Sequence, residues 1–264
     1  MLRCPVIVFL VVASAAASAA EVLRYDGSAR DADSGALLYR ETHYLQQSAE
    51  RIEQRVVLYR CPDTDAAFAR KVVSYGRRAE QPDFELIDAR SGYREGLRRN
   101  ADRSGSTFVQ LNRDSSENRQ LISANQAFVA DAGFDEFLKQ HWDALQSDEA
   151  IRLEFLVPAQ LATIGFKIRK HREQRVGTRD ASVIRLSLGA WWGFIAPHID
   201  AAYDQQTRTL LRYEGLSNLR DGEGRNFNVQ VEFPSEARRR ASLSALRQAS
   251  QSALVQSCEN RQET

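Results

Sequence analysis

Three observations predict a mainly β protein, built on one long antiparallel sheet curved into a half-barrel. Apolar and polar residues alternate in segment after segment, the period-two pattern of strands with one buried and one wet face. Short polar or glycine-bearing turns join these segments in order, without the strand–helix alternation of a parallel sheet. Helical spacing is confined to one mid-chain stretch and one near the C-terminus.

The chain opens MLRCPVIVFLVVASAAASAA, with Arg3, an apolar run from Val6 to Val12, and a tail of small residues. Ala17-Ser18-Ala19 and Ser18-Ala19-Ala20 both suit signal-peptide cleavage. Residues 1–20 are therefore expected to be removed, leaving 21–264 as a single periplasmic domain. An anchor needs about 20 apolar residues and usually a basic cytoplasmic flank, and this run has neither. Cys4 precedes the apolar region, whereas the cysteine of a bacterial lipoprotein follows it.

The first predicted strands are Val22–Gly27, Leu37–Leu45, Ile52–Arg60, Phe68–Tyr75, Phe84–Asp88 and Thr107–Leu111. Asp33-Ser34-Gly35 turns the first into the second. Later alternation is cleaner. Ile151, Leu153, Phe155 and Val157 interleave with Arg152 and Glu154, and Ile164, Phe166 and Ile168 with Lys167 and Arg169. Ile184, Leu186 and Leu188 follow, then Ile199–Tyr203 and Thr209–Tyr213 around Asp204-Gln205-Gln206-Thr207. Phe227, Val229, Val231 and Phe233 form the last, after Asp221-Gly222-Glu223-Gly224. Gly92 and Gly96 suit bends or bulges in a curving sheet.

Asp131 is expected to cap a helix whose Phe134, Phe137, Leu138, His141, Trp142 and Leu145 share one face. A second helix is expected from Ser235 towards Cys258, with Leu243, Leu246, Ala249, Ala253 and Leu254 inward. A flat sheet this wide would leave its apolar side bare. The pattern therefore calls for a curved sheet with one or two helices against its concave face. No repeat or linker marks a domain boundary.

This organisation resembles the half-barrel of LolA-type lipoprotein carriers. The stretches Leu37–His43, Ser91–Gly96 and Arg212–Asp221 (LLYRETH, SGYREG, RYEGLSNLRD) resemble uncharacterised proteobacterial exported proteins. The resemblance implies a half-barrel fold and carries no activity or site residues with it.

Acidic and basic residues number 35 and 36, so no global field attracts nucleic acid. Runs such as Arg238-Arg239-Arg240 read as a solvated helix face. Without the leader two cysteines remain, Cys61 and Cys258; they are either a disulfide between an early strand and the last helix or two separate thiols. No G-x-S-x-G, S-x-x-K, H-E-x-x-H or C-x-x-C motif is present, and no catalytic residue, metal or cofactor is assigned. Glu41 with His43, and His198 with Asp200, are spaced to share a sheet face. Together they would make a zinc or acid–base set, and a metal-assisted hydrolase using His43, His198 and Asp200 is the third reading. His141 reads as a boundary histidine bonded to backbone, and His171 as solvated. Asn218, Arg220, Asp221 and Arg225 read as a polar hairpin end.

The uncharged stretch Gly189–Pro197 holds Trp191, Trp192 and Phe194, either an apolar lip or a connection tucked over the core. The leading expectation is a non-enzymatic protein that holds a hydrophobic or amphiphilic ligand, lipid included, between sheet and helix. Its lining would be Phe134, Phe137, Trp142, Phe155, Phe166, Trp191, Trp192 and Phe194. The alternative is an envelope interaction or assembly factor that docks on a protein partner.

Overall fold

A computed structural model describes residues 20–48, 51–102, 104–147, 149–188 and 198–258. The expected leader up to Ala19, and Trp191, Trp192 and Phe194, lie outside the described residues. Sixteen strands among the described residues join one sheet. The first eight are β1 (Glu21–Asp31), β2 (Leu37–Gln47), β3 (Ile52–Arg60), β4 (Ala67–Ser74), β5 (Asp83–Asp88), β6 (Tyr93–Arg99), β7 (Gly105–Gln110) and β8 (Asn118–Ile122). The rest are β9 (Val129–Ala130), β10 (Ile151–Val157), β11 (Ala162–Val176), β12 (Arg179–Leu188), β13 (Ile199–Asp204), β14 (Leu210–Arg220), β15 (Asn226–Glu232) and β16 (Arg239–Ala241).

The spatial order runs β8 to β1, then β15 back to β9, so two meanders meet where β1 pairs with β15. Those pairings are antiparallel except the short parallel contact of β9 with β10. The sheet stays open and is strongly curved. Val109 of β7 and Leu219 of β14 belong to one buried cluster although seven strands separate theirs in the sheet. Side chains so far apart along the sheet meet only across its hollow side.

Two helices, α1 (Gly133–Gln140) and α2 (Trp142–Gln146), lie against the concave face of β10–β13. The single helix expected from Asp131 is thus broken at His141. Asp131 is not its cap: the N-cap position is Ala132, without a side-chain cap bond.

The C-terminal helix is shorter than its spacing suggested. Residues Arg239–Ala241 are extended, because the first half of β1 needs a partner: Val22–Arg24 pair with them, beyond the stretch of β1 that β15 covers. Helix α3 (Leu243–Ser250) begins only after Ser242, whose Oγ accepts from the Ala245 amide at 3.1 Å. Its Leu246 and Ala249 pack on Val22, Tyr44, Val56 and Leu58, the opposite face from Tyr25 and Val57. α3 therefore covers the convex side, whereas both helices were open to a place on the concave one.

Cys61 and Cys258 form a disulfide, which fixes the tail beyond α3 to the end of β3. Gly92 turns β5 into β6 with φ 78°, the left-handed region that favours glycine. Gly96 answers a different need, since a Cβ there would press on the Phe84 carbonyl and lie 2.8 Å from the Phe108 ring. No helix among the described residues is long and apolar enough to cross a membrane.

Candidate functional site

Strand alternation lines the concave face with buried polar groups. Glu41 and His43 point inward from β2, cross-strand from Tyr59 and Val57 of β3. Arg55 follows on β3, Lys71 on β4, and Tyr93 and Glu95 on β6. Glu41, His43, Arg55, Lys71 and Glu95 are all buried, where an unpaired charge is costly. Partners arrive from two directions. The segment entering α1 brings Asp131 to 2.8 Å from Lys71 Nζ, and the first turn of α1 brings Asp135 to 2.8 Å from Arg55 Nη1. Tyr203 OH donates to the same Asp135 at 2.6 Å. From the far arm, Asn218 Nδ2 donates to Glu95 Oε1 at 2.8 Å, while Tyr93 OH donates to Oε2 at 2.7 Å.

The electrostatics follow from this pairing. Burial alone would lower Lys71, but Asp131, with Glu95 and Glu41 behind it, holds the ammonium above its ordinary range. Burial likewise opposes ionisation of Asp135, and Arg55, Lys139 and the Tyr203 hydroxyl outweigh it, leaving the carboxyl below its usual range. Glu95 goes the other way: burial pushes it up, and its hydrogen bond from Tyr93 only partly compensates. His43 is pushed below 6.5 by burial despite Glu41 Oε2 at 2.6 Å from its Nε2. Its ring stacks on Tyr25 at 4.5 Å and meets Phe233 edge-on at 5.3 Å, and Nδ1 has no hydrogen-bond partner among the described residues. The whole has the geometry of a clamp: two cations on the sheet wall grip two carboxylates on the covering segment.

Beyond the clamp the concave face is apolar. Trp142 is buried against Tyr203, ring centroids 6.4 Å apart, within a cluster of Leu138, Leu145, Ile168, Ile184 and Leu186. Phe134 meets Phe155 edge-on at 6.1 Å, and Phe155 meets Phe166 the same way. Phe137 stacks on His141 at 4.2 Å. The five described lining residues expected from the sequence thus share one cluster. Trp142 is sealed within it, and the four phenylalanines are only half-buried at its margin.

The two carboxylate–imidazole pairs do not meet. His43 faces the hollow, whereas Asp200 points to the convex side, held by Arg185 through two 2.7 Å bonds. His198 is exposed. No cluster of three metal-ligating side chains occurs among the described residues. His141 Nδ1 lies 2.9 Å from the Phe137 carbonyl, and His171 is exposed, both as expected. Asp221 and Arg225 pair at the hairpin tip as a solvated turn should. Asn218 and Arg220 depart from that expectation, since their side chains reach inward to Glu95 and Tyr93.

Sequence reasoning missed Arg55, Lys71, Glu95, Asp131 and Asp135. A signal existed for three of them. Arg55, Lys71 and Glu95 occupy the apolar phase of their strands, in step with Val57, Val73 and Leu97. A separate polar groove of about 530 Å³ opens on the convex side, between Arg60 and Asp65 and the end of α3. It is remote from the aromatic margin and has none of its apolar lining.

No protein-family model matches the chain, and neither does any curated protein sequence. Among solved structures, the chain is similar to a β-barrel-like protein of the domain of unknown function DUF1849 from Brucella abortus. They are 11% identical, covering 86% of this chain and 100% of that one, with a TM-score of 0.49. It is also similar to a DUF1329 family protein from Desulfovibrio piger, at 11% identity over 88% of this chain and 92% of the other, with a TM-score of 0.29. Neither transfers a role to any residue here.

Proposed function

We propose that this is a non-enzymatic protein of the bacterial periplasm that binds a hydrophobic or amphiphilic ligand, lipid included. The ligand would sit at the margin between the curved sheet and its covering helices. One observation carries this reading: Phe134, Phe137, Phe155 and Phe166 converge on the concave face and remain only half-buried. Aromatic side chains gain most from complete removal from water, so a half-covered group of four favours an apolar occupant. The clamp beside it gives the cover a fixed seat. The Cys61–Cys258 bridge suits an oxidising compartment, which supports export.

Native mass spectrometry of protein purified from its own envelope tests the proposal. The expected result is a mass increment of bound amphiphile that Phe155→Ser/Phe166→Ser removes. A bare polypeptide mass, with no uptake from envelope lipid extract, overturns it.

A second reading, an envelope interaction or assembly factor, draws support from the paired charges that fill the middle of the concave face. It expects a co-purifying protein that Trp191→Ala/Trp192→Ala releases without loss of fold.

A further inference from the structure

The convex face of β10–β12 carries a charge arrangement that the fold does not explain. Arg152 of β10 stands directly opposite Lys167 of β11, and Arg169 of β11 directly opposite Arg185 of β12. Directly opposed side chains in antiparallel strands have Cβ atoms about 5 Å apart, and like charges placed so are destabilising. Lys167 and Arg169 are two residues apart, so they project from the same face.

Arg185 is neutralised by Asp200. Arg152, Lys167 and Arg169 are exposed, and none of them makes an ion pair with another of the described residues. The nearest acid in register is Glu154, two residues from Arg152 and opposite Gly165, and it bridges to none of them. Residues 189–197, which follow Leu188 at this end of β12, contain no acidic side chain. The chain as a whole is almost neutral, at +1. This is therefore a local positive stripe on a balanced molecule.

Its position matters as much as its sign. Lys167 lies between Phe166 and Ile168, whose side chains point to the other face, into the aromatic margin and the core behind it. Three cations without an ion-pair partner among the described residues, on two neighbouring strands, thus back onto the half-buried phenylalanines. Anionic headgroups complement such a stripe, because clustered basic residues are drawn to negatively charged bilayers.

We infer that Arg152, Lys167 and Arg169 form a docking surface for an anionic lipid bilayer, with the aromatic margin on the opposite face of the same strands. This goes beyond ligand binding and can fail alone, since a protein that carries an amphiphile need not touch a bilayer.

The test is co-sedimentation with vesicles of phosphatidylcholine alone and with equimolar phosphatidylglycerol. Binding is expected only to the mixed vesicles and is expected to weaken as salt rises. One basic residue at an anionic surface changes partitioning about fivefold, so Arg152→Gln/Lys167→Gln/Arg169→Gln should lose roughly 100-fold. Arg40→Gln/Arg77→Gln/Arg247→Gln removes equal charge elsewhere and should leave binding within about threefold. Circular dichroism keeps a folding failure of either variant from counting. The inference is overturned by no binding to mixed vesicles, by equal binding to both vesicle types, or by equal losses in the two variants. Binding to native membranes that protease treatment abolishes, with none to the mixed vesicles, points to a protein receptor and overturns it too. Ligand mass measured on the same triple variant reports separately on the carrier reading.

Discussion

The Lys71 ammonium lies 2.8 Å from the Asp131 carboxylate, joining the wall of the sheet to the segment that enters its cover. Both side chains are nearly dry, so breaking the pair strands a buried charge. Lys71→Met should destabilise the protein by about 3–5 kcal/mol in urea unfolding, with Lys71→Met/Asp131→Asn recovering much of that. A loss under about 1 kcal/mol for the single change would show that the carboxylate reaches water.

Two buried groups should shift stability in opposite senses with pH. His43 has a folded pKa below its ordinary 6.5. Its contribution is therefore complete above pH 6.5 and is lost as pH falls through the folded value. The deficit of His43→Gln relative to wild type should narrow on acidification. Glu95 is raised above 4.5, so its contribution is complete below that pH and lost as pH rises through the folded value. Glu95→Gln should gain on wild type towards pH 8 and lose the advantage in acid. Denaturant midpoints across this range check both signs, and parallel curves would refute them.

The disulfide spans 197 residues of sequence. In the chain-entropy model that contributes about 5 kcal/mol. Cys61→Ser/Cys258→Ser should lower the melting temperature markedly, and dithiothreitol should destabilise wild type but not the variant. Thermal unfolding with and without reductant decides it.

The aromatic residues should separate into two groups. Trp142→Ala empties a sealed site and should cost about 3–5 kcal/mol. Phe155→Ala and Phe166→Ala, at half-buried positions, should each cost roughly 1–2 kcal/mol while reducing uptake of an apolar dye. If Trp142→Ala proves the mildest of the three, the burial order is wrong.

Gly96→Ala should destabilise by about 1–3 kcal/mol or more, because its methyl group would enter space already held by Phe84 and Phe108. Gly222→Ala, with no atom within 4 Å of the new carbon, is the matched control. Chemical denaturation of the two should differ clearly.

Most strands were legible because each needs only a local rule: two faces, two polarities, alternating residues. Ile151–Val157 reads identically in sequence and structure. The short strands were hidden for the same reason. Asn118–Ile122 has four exposed positions of five, and Arg239–Ala241 is held extended by β1 rather than by any pattern of its own. The apolar spacing of Leu243, Leu246 and Ala249 did mark a helix, but not its start, which β1 set by claiming the residues before it.

The linear chain determined the sheet, its turns and the half-barrel form, since alternation and turn chemistry act over a few residues. It also placed the aromatics of the cover and sheet in one neighbourhood. Tertiary structure alone decided that Cys61 meets Cys258, that α3 lies on the convex side, and that Lys71 and Arg55 grip Asp131 and Asp135. Those partners are 60 or more residues apart, and only the curvature of the sheet brings them within reach.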